Sequence, residues 1–282
     1  MKKELPVSLQ LVELSFLKGS YNMQMKSMVA RLRSFSSSFY EDFVLRNYHN
    51  FFGRQINERF VILGHARTGS NYLFDGLMSS KSVTGYHEIF ADHNRTIGQN
   101  FEKVLSQVYR KESKDTRLVG FKLFYNHLTE EEWTKFLQHD EFKIIHLTRA
   151  NRLRTIVSLD IAFKTDEWTR SSHSKGRQLV EKRITLDTTK LIGRLEKIQS
   201  QEAFARERFK GRPMFEVVYE ELVTIPKVVF QNTGDFLGVN DIDFTKIKIV
   251  KQNTEKLEQL IINFDEVFQC LKNSQFADCL ND

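Results

Sequence analysis

Four short runs of apolar, β-branched and aromatic residues alternate with helical patterns along this chain of 282 residues. Such runs favour strands, and strands that alternate with helices pair in parallel. The pattern therefore predicts an α/β protein with a three-layer, P-loop-like fold, in which helices flank a central parallel sheet. The predicted strands are Phe60–Leu63, Arg117–Tyr125, Phe142–Thr148 and Pro213–Tyr219.

Apolar residues at helical spacing predict helices between and after these strands. The clearest of them is bracketed by Pro226 near its start and Gly238 just past its end. We assign residues 1–58 to a mostly helical N-terminal extension and residues 59–282 to the α/β domain. The predicted helices of the domain are Ser70–Ser79, Gly98–Lys111, Glu130–Gln138, Asn151–Phe163, Ser174–Gln201, Pro226–Leu237 and Glu255–Lys272.

The net charge of +6 and the pI of about 9.1 indicate an anionic partner. Because no run of five like charges forms a nucleic-acid-binding arm, we expect a small polyanion and no nucleic acid. The 2 cysteines, Cys270 and Cys279, are too few for a disulfide framework or a metal-ligand set. So few cysteines make a reducing compartment the default, and no segment has the ~20 apolar residues of a membrane span. We therefore expect a cytoplasmic protein. Peripheral membrane contact through residues 1–58 and a homodimer both stay open.

The most informative stretch is RFVILGHARTGSNYLFDGL, Arg59 to Leu77, where a predicted strand turns into a predicted helix. Gly64 and Gly69 permit a tight turn, and the free amides at a helix start attract anions. Arg67 adds a forked cation. A Walker loop would instead place Lys and then Ser or Thr directly after Gly69, which argues against a nucleotide kinase. An ordinary strand-to-helix turn remains the other interpretation.

The segment RTGSNYLFDGL resembles the 5′-phosphosulfate-binding loop of sulfotransferases, enzymes that use 3′-phosphoadenosine 5′-phosphosulfate as sulfuryl donor. The resemblance implies that Arg67 reaches the bridging and sulfuryl oxygens of the donor. It also implies that the backbone amides from Thr68 to Tyr72 hold the 5′-phosphate, together with the side chains of Ser70 and Asn71. The residues concerned are Thr68, Gly69, Ser70, Asn71 and Tyr72.

Three later segments resemble the same family. IIHLTRANRLRTIVSLDIAF is similar to its 3′-phosphate site, with Arg149 at the strand end and Ser158 about two turns into the next helix. FEVVYEELVTIPKVVFQNTGDFLGV resembles its late strand–turn–helix, which implies that Tyr219 lies beside the adenine. VKQNTEKLEQLIINFDEV looks like the C-terminal segment of bacterial, carbohydrate-type members, which implies that Lys251 closes over the 3′-phosphate. The resemblance runs from about Phe60 to the C-terminus.

Sulfuryl transfer to an alcohol needs a base at the acceptor oxygen. Glu88 lies in TGYHEIFAD, which resembles the context of the proposed base in trehalose-type bacterial sulfotransferases. His127, just beyond the predicted strand Arg117–Tyr125, is the second candidate, because cytosolic members of the family use a His after this strand. Lys122, within the same predicted strand, is a candidate cation for the site. His87, next to Glu88, is a third candidate base.

These observations predict a sulfotransferase that moves a sulfuryl group from 3′-phosphoadenosine 5′-phosphosulfate to a hydroxyl-bearing small molecule. The context of Glu88 indicates a sugar or glycolipid acceptor. No metal is implied. Two alternatives stay open: a P-loop-type nucleotide kinase, which would need Mg²⁺ and ATP, and a non-catalytic nucleotide-binding module with the same fold.

Overall fold

The computed structural model of the protein describes residues 53–95, 99–170, 172 and 178–281. The chain divides into two compact units. In the first, the described residues are 53–56 and 109–115, and the backbones of Arg54 and Glu112 exchange hydrogen bonds of 3.0 Å. The second unit comprises Asn57–Val108 and Thr116–Asp282 and contains the sheet. Most of the predicted extension, residues 1–58, lies outside the described residues, and that assignment stays a prediction.

The second unit is built on a five-stranded sheet with the order β2-β3-β1-β4-β5, in which every described pairing is parallel. This confirms the predicted α/β class. The sequence analysis did not predict β2, a four-residue strand at one edge of the sheet. The strands are β1 (Glu58–Gly64), β2 (Val83–Tyr86), β3 (Leu118–Phe124), β4 (Phe142–Thr148) and β5 (Met214–Val218).

Both faces of the sheet are covered. Successive side chains of a strand point to opposite faces, and in β1 Phe60 and Val61 are both fully buried. Helices therefore lie on each side, which gives the predicted three layers. The α-helices of the described residues are α1 (Ser70–Leu77), α2 (Phe101–Leu105), α3 (Glu130–Phe136), α4 (Arg152–Thr165), α5 (Leu179–Lys182), α6 (Thr188–Arg208), α7 (Tyr219–Thr224), α8 (Pro226–Leu237), α9 (Leu257–Leu260) and α10 (Phe264–Leu271). Within the part of the chain that the structure describes, no helix is both long and apolar enough to cross a bilayer.

Two long helices predicted from sequence are each interrupted, and one contact accounts for both breaks. Ile184 pairs with Ile261 in an isolated parallel bridge: its amide donates to the Leu260 carbonyl at 2.8 Å, and its carbonyl accepts from Ile262 at 2.7 Å. The predicted helix 174–201 is therefore wrong as a single helix. Its described part consists of α5 and the start of α6. The predicted helix 255–272 is likewise divided into α9 and α10.

The order of the strands fixes where a ligand can enter. From β1 the chain crosses to β2 at one edge of the sheet, whereas from β4 it continues to β5 at the opposite edge. Strands whose connections diverge in this way leave a crevice beyond their carboxyl ends, and α/β proteins bind ligands there. The loop after Gly64 and the residue after Thr148 both face this crevice.

Candidate functional site

The loop after β1 is shaped by its own backbone. Gly69 has φ of +86° and caps α1, a conformation that favours glycine. Arg67 also lies in the left-handed region, with φ of 69°, which is uncommon for a residue with a side chain. The Thr68 hydroxyl donates to the His65 carbonyl at 2.7 Å and closes the turn. The first amides of α1 have no intrahelical acceptor and face the crevice.

Gly69 is also required by packing. A Cβ atom at this position would lie 2.7 Å from Cδ2 of Tyr219, whose ring closes one side of the loop. Tyr219 is the first residue of α7 and directly follows β5. The close approach of loop and ring brings the carboxyl ends of β1 and β5 to the same cavity.

This cavity has a volume of about 300 Å³. It brings together residues that are far apart in the sequence, and it includes all the predicted donor-binding residues except Thr68, which is buried and bonded to the His65 carbonyl. The lining residues are Arg67, Gly69, Ser70, Asn71, Tyr72, Arg149, Ser158, Trp168, Thr169, Arg170, Tyr219, Val223, Ile249, Val250, Lys251 and Gln252.

The Arg67 side chain points to the predicted 3′-phosphate end of this cavity. Its Nε donates to the Ser158 hydroxyl at 3.0 Å, its Nη2 donates to Oε1 of Gln252 at 2.5 Å, and its Nη1 donates to the Trp168 carbonyl. The sequence analysis assigned Arg67 to the sulfuryl end instead. Burial, with the nearby charge of Arg149, lowers the pKa of Arg67 to about 10.

Arg149 follows β4 and is the second cation of the cavity; it is buried, whereas Arg67 is partly buried. Its guanidinium carbon lies 4.3 Å from the ring centroid of Tyr219, and its Nη1 donates to the Arg67 carbonyl at 3.2 Å. Its buried Nε makes no hydrogen bond with the described residues, and the nearest carboxylate oxygen, on Glu220, is 3.9 Å away. Burial lowers the pKa of Arg149. Two guanidinium groups thus share a small volume with little compensating negative charge.

Lys122 and Glu88 form a second polar cluster beside the first. Lys122 pairs with Ile62 in the β1–β3 register, so both side chains point to the face of the sheet that α1 covers. The Lys122 ammonium is 2.8 Å from Oε1 of Glu88 and also donates to Oδ1 of Asn71. Asn71 lines the cavity as well, and it therefore joins the two clusters.

The backbone fixes Glu88 next to Lys122. The Lys122 amide donates to the His87 carbonyl at 3.3 Å, directly after β2 ends at Tyr86. The Lys122 side chain is 2% exposed and Glu88 is 24% exposed, so the carboxylate is the member of the pair that solvent can reach. A buried ammonium is costly without a partner, and Glu88 supplies one.

His127 lies close to this cluster, but its ring is engaged. Its Nδ1 accepts the Phe124 amide at 3.2 Å, and the two rings are 4.8 Å apart. Burial lowers the pKa of His127 to about 4. Since a backbone amide can only donate, the proton of the neutral ring is on Nε2. At neutral pH His127 therefore offers a hydrogen-bond donor at Nε2.

Two further titratable residues border the cluster. The His87 ring lies 4.5 Å from that of Phe74, and burial, followed by the charge of Lys122, lowers its pKa. Burial raises the pKa of Asp75, a residue of α1 that the sequence analysis did not select. Its position one helical turn after Asn71 could have indicated it, because residues four apart share a helix face.

The sequence analysis missed Trp168, Gln252 and Asn253, which contact the predicted site residues. Asn253 donates from Nδ2 to the Ser158 hydroxyl at 3.3 Å. All three lie in segments without regular secondary structure, so no periodicity marks them. For Gln252 and Asn253, the one available signal was their position directly after Lys251. Among the described residues, no group of three or more His, Cys, Asp or Glu side chains is placed to hold a metal ion.

No protein-family model matches the chain, and no curated protein matches it. Among solved structures, it is similar to a sulfotransferase from Alicyclobacillus acidocaldarius, with 16% identity, a TM-score of 0.45, and coverage of 80% of this chain and 93% of that one. A mouse sulfotransferase complexed with PAP has 11% identity, a TM-score of 0.36 and coverage of 70% and 64%. The sulfotransferase domain of a Synechococcus olefin synthase has 17% identity, a TM-score of 0.36 and coverage of 66% and 75%. At this degree of similarity, function is argued from the site itself.

Proposed function

We propose that the protein transfers a sulfuryl group from 3′-phosphoadenosine 5′-phosphosulfate to a hydroxyl of an acceptor molecule. The observation that carries the proposal is the convergence of Arg67, Arg149 and Ser158, from three different segments, on one cavity next to the start of α1. Arg67 and Ser158 are directly bonded, at 3.0 Å. A site of this kind, with two guanidinium groups and a hydroxyl, suits a phosphate.

The cavity fits the two anionic ends of the donor. We assign the 3′-phosphate to Arg149, Ser158 and, in the described conformation, Arg67. The free N–H of Arg149 at Nε is a donor that a phosphate oxygen would satisfy. We assign the 5′-phosphate to the start of α1, where the backbone amides and the positive end of the helix dipole favour an anion. Tyr219 borders the space for the adenosine.

We assign the base to Glu88 in preference to His127. The imidazole already accepts the Phe124 amide at Nδ1, so its other nitrogen carries the proton and cannot take a second one without becoming charged. Burial opposes that charge and lowers the pKa of His127. Glu88 is partly exposed, and its Oε1 is held by Lys122. We assign its other oxygen, Oε2, to the acceptor hydroxyl.

Lys122 is the cation that faces the reacting group. In the proposed step, the acceptor oxygen gives its proton to Glu88 and forms a bond to sulfur. The bond between sulfur and the bridging oxygen breaks, and the electron pair stays on the 5′-phosphate that leaves. Lys122 stabilises the negative charge that develops there, in a site where burial strengthens the interaction. Asn71, bonded to Lys122, holds the ammonium at the start of α1.

We propose a sugar or glycolipid hydroxyl as the acceptor. The polar side chains near Lys122, namely Asp75, His87 and Glu88, provide several hydrogen-bonding groups close together. A polyhydroxylated acceptor can bond to these groups through several hydroxyls, whereas an isolated alcohol offers one hydroxyl. The resemblance of the Glu88 segment to carbohydrate-acting sulfotransferases supports the same acceptor class.

The experiment that tests the proposal is transfer of labelled sulfate from the donor to a panel of sugars, glycolipids, phenols and aliphatic alcohols. We expect product with at least one hydroxyl acceptor, and stabilisation of the protein against heat by 3′-phosphoadenosine 5′-phosphate. Glu88→Gln serves as the inactive control. If that nucleotide neither stabilises nor binds the wild-type protein, the proposal is wrong. Stabilisation without transfer would instead support a binding module.

A further inference from the structure

The segment 249–253 crosses the cavity. It places two neighbouring carboxamides in contact with Arg67 and Ser158, which are predicted to bind phosphate. Gln252 accepts from Nη2 of Arg67 at 2.5 Å through its Oε1. Asn253, the next residue, donates to the Ser158 hydroxyl at 3.3 Å. Polar groups of the protein itself therefore occupy bonds that a phosphate would need.

The backbone of this segment is anchored on both sides of Gln252. The Val250 amide donates to the Arg170 carbonyl at 3.1 Å, and the Asn253 carbonyl accepts from Nη1 of Arg154 at 3.1 Å. Asn253 itself has φ of 51°, in the left-handed region. The segment can therefore keep its course while the Gln252 side chain changes rotamer.

The three acceptors that hold Arg67 differ in how easily they can leave. The Trp168 acceptor is a backbone carbonyl, and Ser158 lies inside α4. Gln252 alone among them presents its oxygen on a long, rotatable side chain outside any helix or strand. All three acceptors are neutral, although Arg67 is partly buried close to a second guanidinium. A phosphate oxygen is a stronger partner for this cation than a carboxamide.

We infer that Gln252 is a positioning residue that holds Arg67 at the phosphate site and is displaced when the donor binds. This inference rests on the proposed function. The carboxamide and the 3′-phosphate compete for Nη2 of Arg67, so the contact lowers donor affinity while it keeps the guanidinium in place. The segment 249–253 thereby sets how strongly the site discriminates between nucleotides with and without a 3′-phosphate.

The test measures the Kd of two nucleotides by titration calorimetry, in the full chain and in variants of Gln252. Gln252→Ala removes the competing oxygen, and we expect it to lower the Kd of 3′-phosphoadenosine 5′-phosphate about fivefold, the effect of losing one modest competing hydrogen bond. Gln252→Glu replaces it with a carboxylate, and we expect it to raise that Kd about tenfold or more. Adenosine 5′-phosphate, which lacks the 3′-phosphate, should bind all variants with similar affinity.

Two further variants serve as controls for side-chain length and for added charge. Gln252→Asn, whose carboxamide is one carbon shorter, should behave like Gln252→Ala. Gln231→Glu introduces the same charge on the exposed surface of α8 and should leave both Kd values unchanged. If Gln252→Ala weakens binding, or if Gln252→Glu does not, the inference is overturned while the proposed function stands. If the wild-type chain binds neither nucleotide, the proposed function fails and the inference fails with it.

Discussion

Lys122 and Glu88 meet at the carboxyl edge of the sheet, with 2.8 Å between Nζ and Oε1. The pair places the proposed base beside a cation, and each member can be changed separately. Glu88→Gln keeps the shape and removes the base. We expect kcat to fall about 10²- to 10⁴-fold, the usual contribution of a general base, with the donor Kd little changed. Steady-state kinetics and calorimetry measure the two quantities. Glu102→Gln, on an exposed residue of α2, is the matched control, and equal losses in both variants would contradict the assignment.

Lys122→Met tests the cation of the pair. Methionine is unbranched, one atom shorter than lysine and compatible with burial, but it cannot stabilise charge on the leaving phosphate. We expect kcat to fall about 10²- to 10³-fold, as when one donor to a developing charge is removed. Lys143→Met is the comparison, since Lys143 pairs with Phe60 near the opposite end of the sheet. An active Lys122→Met enzyme would place the chemistry elsewhere.

Ser158→Ala tests which phosphate this end of the cavity binds. The hydroxyl accepts from Arg67 at 3.0 Å and from Asn253 at 3.3 Å, so its loss disturbs the group of donors we assign to the 3′-phosphate. We expect the Kd of 3′-phosphoadenosine 5′-phosphate to rise about tenfold, as for one hydrogen bond to a charged group. The Kd of adenosine 5′-phosphate should stay nearly constant. A parallel loss for both nucleotides would show that Ser158 acts on the fold and not on the phosphate.

His127 predicts a pH dependence of stability. Burial lowers its pKa from 6.5 to about 4. As the pH falls from 6.5 toward 4, the unfolded chain binds a proton at this residue that the native protein does not bind. The stability associated with the neutral ring is therefore fully present above pH 6.5 and is lost toward pH 4. His127→Asn keeps an acceptor for the Phe124 amide, and the variant should lose less stability than wild type over this range in urea unfolding. Identical pH profiles would refute the prediction.

Gly69 and Gly193 make a matched pair for a backbone test. At Gly69 an added Cβ meets the Tyr219 ring at 2.7 Å and φ is +86°, whereas at Gly193, in α6, it meets nothing within 4 Å. We expect Gly69→Ala to lower the free energy of unfolding by about 1 kcal/mol or more and to weaken nucleotide binding. Gly193→Ala should raise the free energy of unfolding by up to about 1 kcal/mol. Urea unfolding and calorimetry measure both effects.

The elements that the sequence predicted best are those with local signals. The helix Pro226–Leu237 has the predicted bounds because Pro226 and Gly238 mark its ends. Strand β2 escaped prediction because its four residues include a glycine, and it becomes a strand only by pairing with β3. The Ile184–Ile261 bridge, between residues far apart in the chain, could not be anticipated from helical periodicity, which describes each segment alone.

The site residues also divide into those with a local sequence signal and those without one. Arg67 and Arg149 lie at the junctions of strands and helices, and Ser158 lies about two turns into the helix that follows Arg149. At these places the motif and the element predict each other, and the structure brings all three residues to one cavity. Gln252 carries no such mark, because an isolated glutamine in an irregular segment is usually a surface residue. Its contact with Arg67 joins residues 185 positions apart, and only the fold brings them together.

The left-handed backbone of Arg67 has a consequence for protein engineering. With φ of 69°, this position suits glycine better than any residue with a side chain. The cation is also partly buried beside a second guanidinium, so both backbone strain and charge repulsion act against it. Selection of this protein for thermal resistance alone would therefore favour Arg67→Gly, and a consensus of stabilised variants would discard a residue to which we assign nucleotide recognition. Such a trade-off between stability and activity is expected where a binding site keeps an unfavourable conformation.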